Sequence, residues 1–130
     1  MTESTVDEVL QQYANGKRIF RFASIVKADF RGADLSYADL RNTKFSGANF
    51  SQANLRGANL GAADLSGATL SNAQLGQALL GQTNFSGAKL CDAALWYSQR
   101  DWRKLRRRRS VSDGLDRRAL RQRKSERGKR

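Results

Sequence analysis

The 130-residue chain contains no histidine, so the commonest general base and the commonest metal ligand are both missing. Its one cysteine, Cys91, has no second thiol to pair with and no imidazole to activate it. Neither a disulfide, a zinc site nor a catalytic thiol is expected there. Asp29, Asp34 and Asp39 recur at a spacing of five, which suits turn stabilisation and not a calcium loop. The glycines form neither the dinucleotide nor the Walker phosphate-binding fingerprint. The chain is therefore expected to be non-enzymatic, with no cofactor and no metal.

The chemistry that remains is electrostatic. Arg103, Lys104, Arg106, Arg107, Arg108, Arg109, Arg117, Arg118, Arg121, Arg123 and Lys124 crowd the C-terminal part of the chain. Arginine dominates this set, and its planar fork suits phosphate. These residues are the candidate polyanion-binding site, open to nucleic acid through counterion release and to anionic lipid through the same charges. No DNA-reading motif frames them, so base-specific recognition is not expected.

Charge sets the organisation. Lys and Arg number 24 against 12 Asp and Glu, for a net charge of +12. Residues 1–95 carry 9 basic and 8 acidic side chains, whereas residues 96–130 carry 15 and 4. Nearly all the excess is in the tail, and a boundary falls near Leu95 to Ser98. The opening MTESTVDEVL is acidic where a secretory signal would be basic and then apolar, and no apolar run reaches the roughly 20 residues of a membrane-spanning helix. A cytoplasmic location is expected.

The body is a repeat of five. Phe20, Ile25, Phe30, Leu35, Leu40, Phe45, Phe50, Leu55, Leu60, Leu65, Leu70, Leu75, Leu80, Phe85, Leu90 and Leu95 stand at every fifth position. Two residues before each of the fifteen from Ile25 onward stands Ala, except at Thr43 and Thr83. Asn or Asp lies between the two in about half the repeats, as in Ala33-Asp34-Leu35. At about 100° per residue, successive leucines on a helix would precess by about 140° and share no face. On a continuous strand the odd period would send alternate leucines to opposite faces. The pattern is buried only if each repeat is a short extended side followed by a turn, so that the chain coils with Ala and Leu or Phe inside. Asn and Asp then bond nearby backbone, and glycines such as Gly32 and Gly47 supply positive φ. The period leaves the number of sides per coil open; two or four would align the Thr43 and Thr83 repeats on one face.

The run A-D-L-S-Y-A-D-L-R-N-T-K-F-S-G-A-N-F resembles the pentapeptide-repeat family over about residues 20–95. That resemblance implies an all-β solenoid, a right-handed quadrilateral β-helix with four repeats in each of about four coils. It implies that Leu40, Leu60 and Leu80 stack below Phe20, that Phe30 touches Phe50, and that the interior is filled. Some members of the family imitate duplex DNA and bind a type II topoisomerase through an acidic surface. Arg21, Arg31, Arg41 and Arg56 at outward positions depart from that pattern.

Open solenoid ends need covers. Thr5-Val6-Asp7-Glu8 reads as a capping box, Val6, Val9, Leu10 and Tyr13 share one helical face, and Asn15-Gly16 reads as a stop. A capping helix over 5–14 is expected within an N-terminal segment 1–16, followed by the repeat domain 17–97 and a basic helix and flexible tail over 98–130. Ser98 opens a second helix of roughly 99–109, with Trp96, Tyr97 and Trp102 over the last coil. The expected partners are an unidentified protein on a solenoid face, nucleic acid or anionic lipid on the tail, and a second copy of the chain near Trp96 and Trp102.

Overall fold

Backbone pairing in this chain repeats in units of five, and the side chains follow. The computed structural model describes residues 5–95; the helix expected over 99–109, the Trp96, Tyr97 and Trp102 cover and the 98–130 tail lie outside them. After each core residue the chain makes a tight turn: the Ala48 N–H donates to the Phe45 carbonyl at 3.0 Å and the Ala53 N–H to the Phe50 carbonyl at 2.9 Å. The second residue past each core position has φ near +60°, from Phe22 at 66° through Gly47 at 68° and Ala62 at 57° to Asp92 at 58°. One left-handed residue before the closing N–H is the φ signature of a type II turn. Glycine was expected to occupy these positions, yet Phe22, Lys27, Tyr37 and Ala62 hold the same conformation. Regular closure of the coil imposes it at every turn, whatever the side chain.

Between turns, each short extended side pairs in parallel with the side twenty residues later, as in Asp39 with Asn59 and Asn59 with Leu79. Four five-residue sides therefore make one turn of the solenoid. We number them by their inward residues: side 1 carries Phe20, Leu40, Leu60 and Leu80; side 2 Ile25, Phe45, Leu65 and Phe85; side 3 Phe30, Phe50, Leu70 and Leu90; side 4 Leu35, Leu55, Leu75 and Leu95. The period-two alternation of an extended side puts the Ala positions inward too. Ala48, Ala53, Ala58 and Ala73 are fully buried beside the Leu and Phe columns.

The five N–H groups of a repeat can be followed one by one. For the repeat around Leu60, the Asn59 N–H donates to Ala38 O at 2.9 Å in the coil before, and the Leu60 and Ala62 N–H groups donate to Leu79 O at 2.8 Å and Gly81 O at 2.9 Å in the coil after. The Ala63 N–H closes the turn on Leu60 O at 2.9 Å. The Gly61 N–H donates to the Asn59 Oδ1 at 3.0 Å. That last bond is why Asn and Asp recur in this position: the side chain supplies the acceptor that the backbone lacks. Asp34, Asn49, Asn54, Asp64 and Asn84 do the same.

Three phenylalanines pack together inside the first two coils. Phe30 and Phe50 stack with centroids 4.9 Å apart, and Phe45 meets them edge-on at 5.6 and 5.3 Å. Every predicted core residue from Phe30 to Leu90 is buried. Thr43 and Thr83 satisfy their buried hydroxyls on Leu40 O at 2.7 Å and Leu60 O at 2.8 Å.

Helix α1, Val6–Ala14, lies at the N-terminal end. The Glu8 N–H donates to the Thr5 Oγ1 at 3.1 Å, the expected N-cap. Val9 is buried in the solenoid core, with Val6, Leu10 and Tyr13 packed against it. The Tyr13 hydroxyl donates to Ser36 O at 2.8 Å, and the Arg18 guanidinium lies 3.8 Å from the centre of the Tyr13 ring. Apolar contact and the Tyr13–Ser36 bond thus tie α1 to the solenoid, the bond reaching its first coil. Gly16, at φ 103°, lets the chain leave the helix for side 1.

The side-chain acceptor gives a paired prediction. Asn59→Ala strands the Gly61 N–H and should lower stability by about 1 kcal/mol. Thr69→Asn should raise it by a similar or smaller amount, because it would offer the Ser71 N–H the acceptor that Asp64 gives Ser66 and Asn84 gives Ser86. Thermal unfolding followed by circular dichroism checks both; an unshifted midpoint in Asn59→Ala would show that water replaces the bond without cost.

Candidate binding faces

Because Leu, Phe and Ala point inward, function must lie on what points out. Three outward positions recur in each repeat: the middle of the side and the two residues of the corner that follows it. Side 1 presents Ile19, Asp39, Asn59 and Leu79, and side 2 presents Ser24, Lys44, Asp64 and Asn84, each list in register along the stack. Side 3 presents Asp29, Asn49, Thr69 and Lys89, and side 4 presents Asp34, Asn54, Gln74 and Ala94.

The three aspartates of the first two coils sit in three local arrangements. Asp29 holds Arg31 as a two-bond fork, with Arg31 Nε and Nη2 each 2.9 Å from a carboxylate oxygen. Asp34 accepts from the Ser36 N–H at 3.0 Å and the Ser36 hydroxyl at 2.7 Å. Asp39 is shared: Arg41 donates Nε at 2.9 Å and Nη2 at 2.8 Å, and Arg21 Nε approaches the same carboxylate at 3.1 Å. These partners hold all three carboxyls below the ordinary aspartate range. Hydrogen bonding from Arg31 is the main cause at Asp29, from Ser36 at Asp34 and from Arg41 at Asp39. The aspartates are thus occupied by turns, as their spacing suggested, and two of them by arginines as well. Among the described residues no three His, Cys, Asp or Glu side chains stand together as a metal site. Cys91 is a free, exposed thiol at a corner.

Apolar side chains also reach the surface. Ile19, Phe22, Val26, Tyr37 and Leu79 are large and exposed, and four of them belong to residues 19–37. The Tyr37 ring lies over Gly57, where a Cβ would collide with it. The candidate polyanion-binding residues Arg103 to Lys124 fall outside the described residues. Sequence reasoning placed Arg21, Arg31, Arg41 and Arg56 outward but missed that Arg21 and Arg41 share one carboxylate. Residues twenty apart become neighbours only once the number of sides is known.

A β-solenoid of five-residue sides, with a Leu, Phe or Ile at every fifth position buried inside it, defines a repeat protein. A family model for pentapeptide repeats matches it in 8 copies over residues 20–52, 33–72 and 70–99. The chain belongs to the pentapeptide repeat family. Among solved structures it is similar to alr5209, a pentapeptide repeat protein from Nostoc PCC 7120, at 38% identity and a TM-score of 0.72, covering 74% of this chain and 79% of that one. It is also similar to HetL from the same cyanobacterium, a pentapeptide repeat protein involved in heterocyst differentiation regulation. That match has 38% identity and a TM-score of 0.58 over 74% of this chain and 47% of that one. A pentapeptide repeat protein of the Arabidopsis thaliana thylakoid lumen matches at 32% identity with a TM-score of 0.63, over 68% of this chain and 63% of that one. No curated protein matches. Proteins of this family are generally structural or binding proteins. No helix among the described residues is long and apolar enough to cross a membrane.

The shared carboxylate makes stability pH-dependent. The folded pKa of Asp39 lies below its unfolded value, so its contribution is complete above about pH 4 and is lost as the pH falls through the lowered value. Asp39→Asn should cost up to about 1 kcal/mol at pH 7 and should flatten the acid limb of a stability-against-pH curve. Urea melts at pH 7 and pH 3 measure this; an equally steep acid limb in the variant would assign it to other carboxylates.

Proposed function

We propose that this protein is a non-enzymatic scaffold that binds other macromolecules on its solenoid faces, with its Arg-rich tail adding electrostatic affinity for polyanions. The observation that carries this reading is the division of the repeat. Every large periodic side chain is buried, so the outward columns are left to recognition. HetL, a regulatory protein on the same scaffold, supports a binding role. In this reading the repeat domain 17–97 is a right-handed quadrilateral β-helix of about four coils. Residues 1–16 cap its first coil, and 98–130 form the basic helix and flexible tail.

The tail is read as a polyanion binder because 15 of its residues are basic and 4 acidic. Its charges suit nucleic acid phosphates and an anionic membrane surface alike. A topoisomerase-binding DNA mimic needs acidic faces, and residues 17–56 carry eight basic and three acidic side chains. Charge thus speaks against that alternative. A cytoplasmic setting and self-association near Trp96 and Trp102 complete the proposal.

The test compares the full-length protein with a full-length variant in which Arg106 to Arg109, Arg117 and Arg118 are glutamine. Both are titrated with labelled duplex DNA and with phosphatidylserine vesicles across a salt series. Tail-driven DNA binding should weaken steeply with salt, by a logarithmic slope of about −0.9 per phosphate contacted, and the variant should lose several units of slope. Loss on vesicles alone would move the tail to a membrane surface. Unchanged binding to both would end the polyanion role.

A further inference from the structure

The near-neutral body conceals a charge polarity along the solenoid axis. Residues 17–56 hold eight basic and three acidic side chains, whereas residues 57–95 hold one basic and two acidic. The N-terminal half is thus at +5 and the C-terminal half at −1. The twenty-residue register also divides these charges among the sides. Arg31 is engaged by Asp29 on side 3, and Asp34 on side 4 feels the field of Arg18.

Side 2 and its two corners differ. Arg21 and Arg41 stand at the corner leading into it, Lys44 in its outward column, and Lys27 at the corner leading out. In these two coils only Asp39 opposes them. It ties down the two arginines, with Arg21 Nε 3.1 Å from the carboxylate, and the Arg21 side chain stays 43% exposed, within reach of an outside acceptor. Among the described residues, the side chains of Lys27 and Lys44 make no ion pair or hydrogen bond. The Lys27 stem lies against Gly47 in the next coil. Asp64, one coil beyond Lys44, ends the basic stretch.

An aromatic residue stands within this patch. Phe22 is 57% exposed, and its N–H donates to Arg41 O at 3.1 Å, which places it beside that arginine. Its backbone is left-handed, at φ 66°, a conformation unfavourable for a bulky residue. The same corner position holds Asn42, Ala62 and Gln82 in later coils. Closure of the coil requires the left-handed turn at this corner, but not a bulky aromatic residue in it, and the exposed ring of Phe22 fills no place in the core. Val26, also exposed, occupies the next corner.

We propose that side 2 of the first two coils binds single-stranded nucleic acid, with Phe22 stacking on an unpaired base and Arg21, Arg41, Lys44 and Lys27 holding phosphates. A basic track interleaved with an exposed ring is the combination that single strands select, because their bases offer free faces as well as charged backbone. In duplex DNA the base faces are already stacked, and a run of carboxylates would satisfy the basic groups without engaging the ring. The inference deepens the polyanion reading above but places the contact on the body instead of the tail.

The experiment is fluorescence anisotropy with a labelled single-stranded oligonucleotide of about fifteen nucleotides and a duplex of the same length. It uses full-length protein carrying either the native tail or the glutamine-substituted one. Phe22→Asn keeps a residue that tolerates the left-handed turn, and circular dichroism confirms the fold of each variant. It should weaken single-strand binding by about fivefold or more and leave duplex binding and the salt slope unchanged. Lys27→Gln with Lys44→Gln should reduce the single-strand salt slope by about 1.4. Lys89→Gln, on side 3 at the other end, should change neither. If Phe22→Asn and the lysine pair bind like the parent on both tail backgrounds, the proposal is overturned. It is equally overturned if Phe22→Asn weakens duplex binding as much as single-strand binding. A glutamine tail that leaves binding intact and Phe22-dependent would remove the tail's role while supporting this face.

Discussion

A left-handed residue at every fifth position is the constraint on which the rest of this protein depends. It turns the chain through a corner after three extended residues, and four such corners return it to register with itself twenty residues later. Once that register exists, parallel backbone bonds join each coil to the next. The interior then narrows to a column in which each side admits one large side chain and one small one. The cost of a non-glycine residue in the left-handed region is on the order of 1 kcal/mol, and Phe22, Lys27, Tyr37 and Ala62 all incur it. The inter-coil bonds and the buried column offset it collectively, so the backbone is regular where the sequence is not.

The fold was legible because burial repeats. Sixteen apolar residues at a strict interval, preceded by alanine, exclude helix and continuous strand and leave only a coil of short sides. The Thr5 cap and the inward face of α1 were legible for a similar reason, since both are local patterns. The number of sides per turn was not written in the period, because two and four satisfy it equally. Family resemblance implied four, and the pairing of Asn59 with both Asp39 and Leu79 shows the same register. The left-handed conformation of Phe22 or Tyr37 was also hidden, since neither residue favours it and only closure of the coil demands it.

The surface was harder to read than the core. Arg21 and Arg41 are separated by a full coil in sequence, so their common hold on Asp39 emerges only when the register is known. Summing charge over the body gives almost zero and hides the contrast between its two halves. Asparagine and aspartate were expected to bond nearby backbone, and they do, by capturing the N–H two residues ahead. Asp29, Asp34, Asp39 and Asp64 are thereby committed to architecture. What is left for recognition is the smaller set of side chains that no turn employs.

The twenty-residue register also governs how such a protein can change length. Removing twenty residues from the middle of the stack deletes one coil and returns every later residue to its own side, so the outward columns remain in phase. Removing five deletes one side, which keeps the core pattern intact but rotates everything downstream by a quarter turn. A lysine from one face would then continue the column of another. The solenoid core therefore tolerates length changes in steps of five, whereas the faces tolerate them only in steps of twenty. Core and surface obey different quanta, and a lineage that keeps its binding face while varying its length is confined to the larger one.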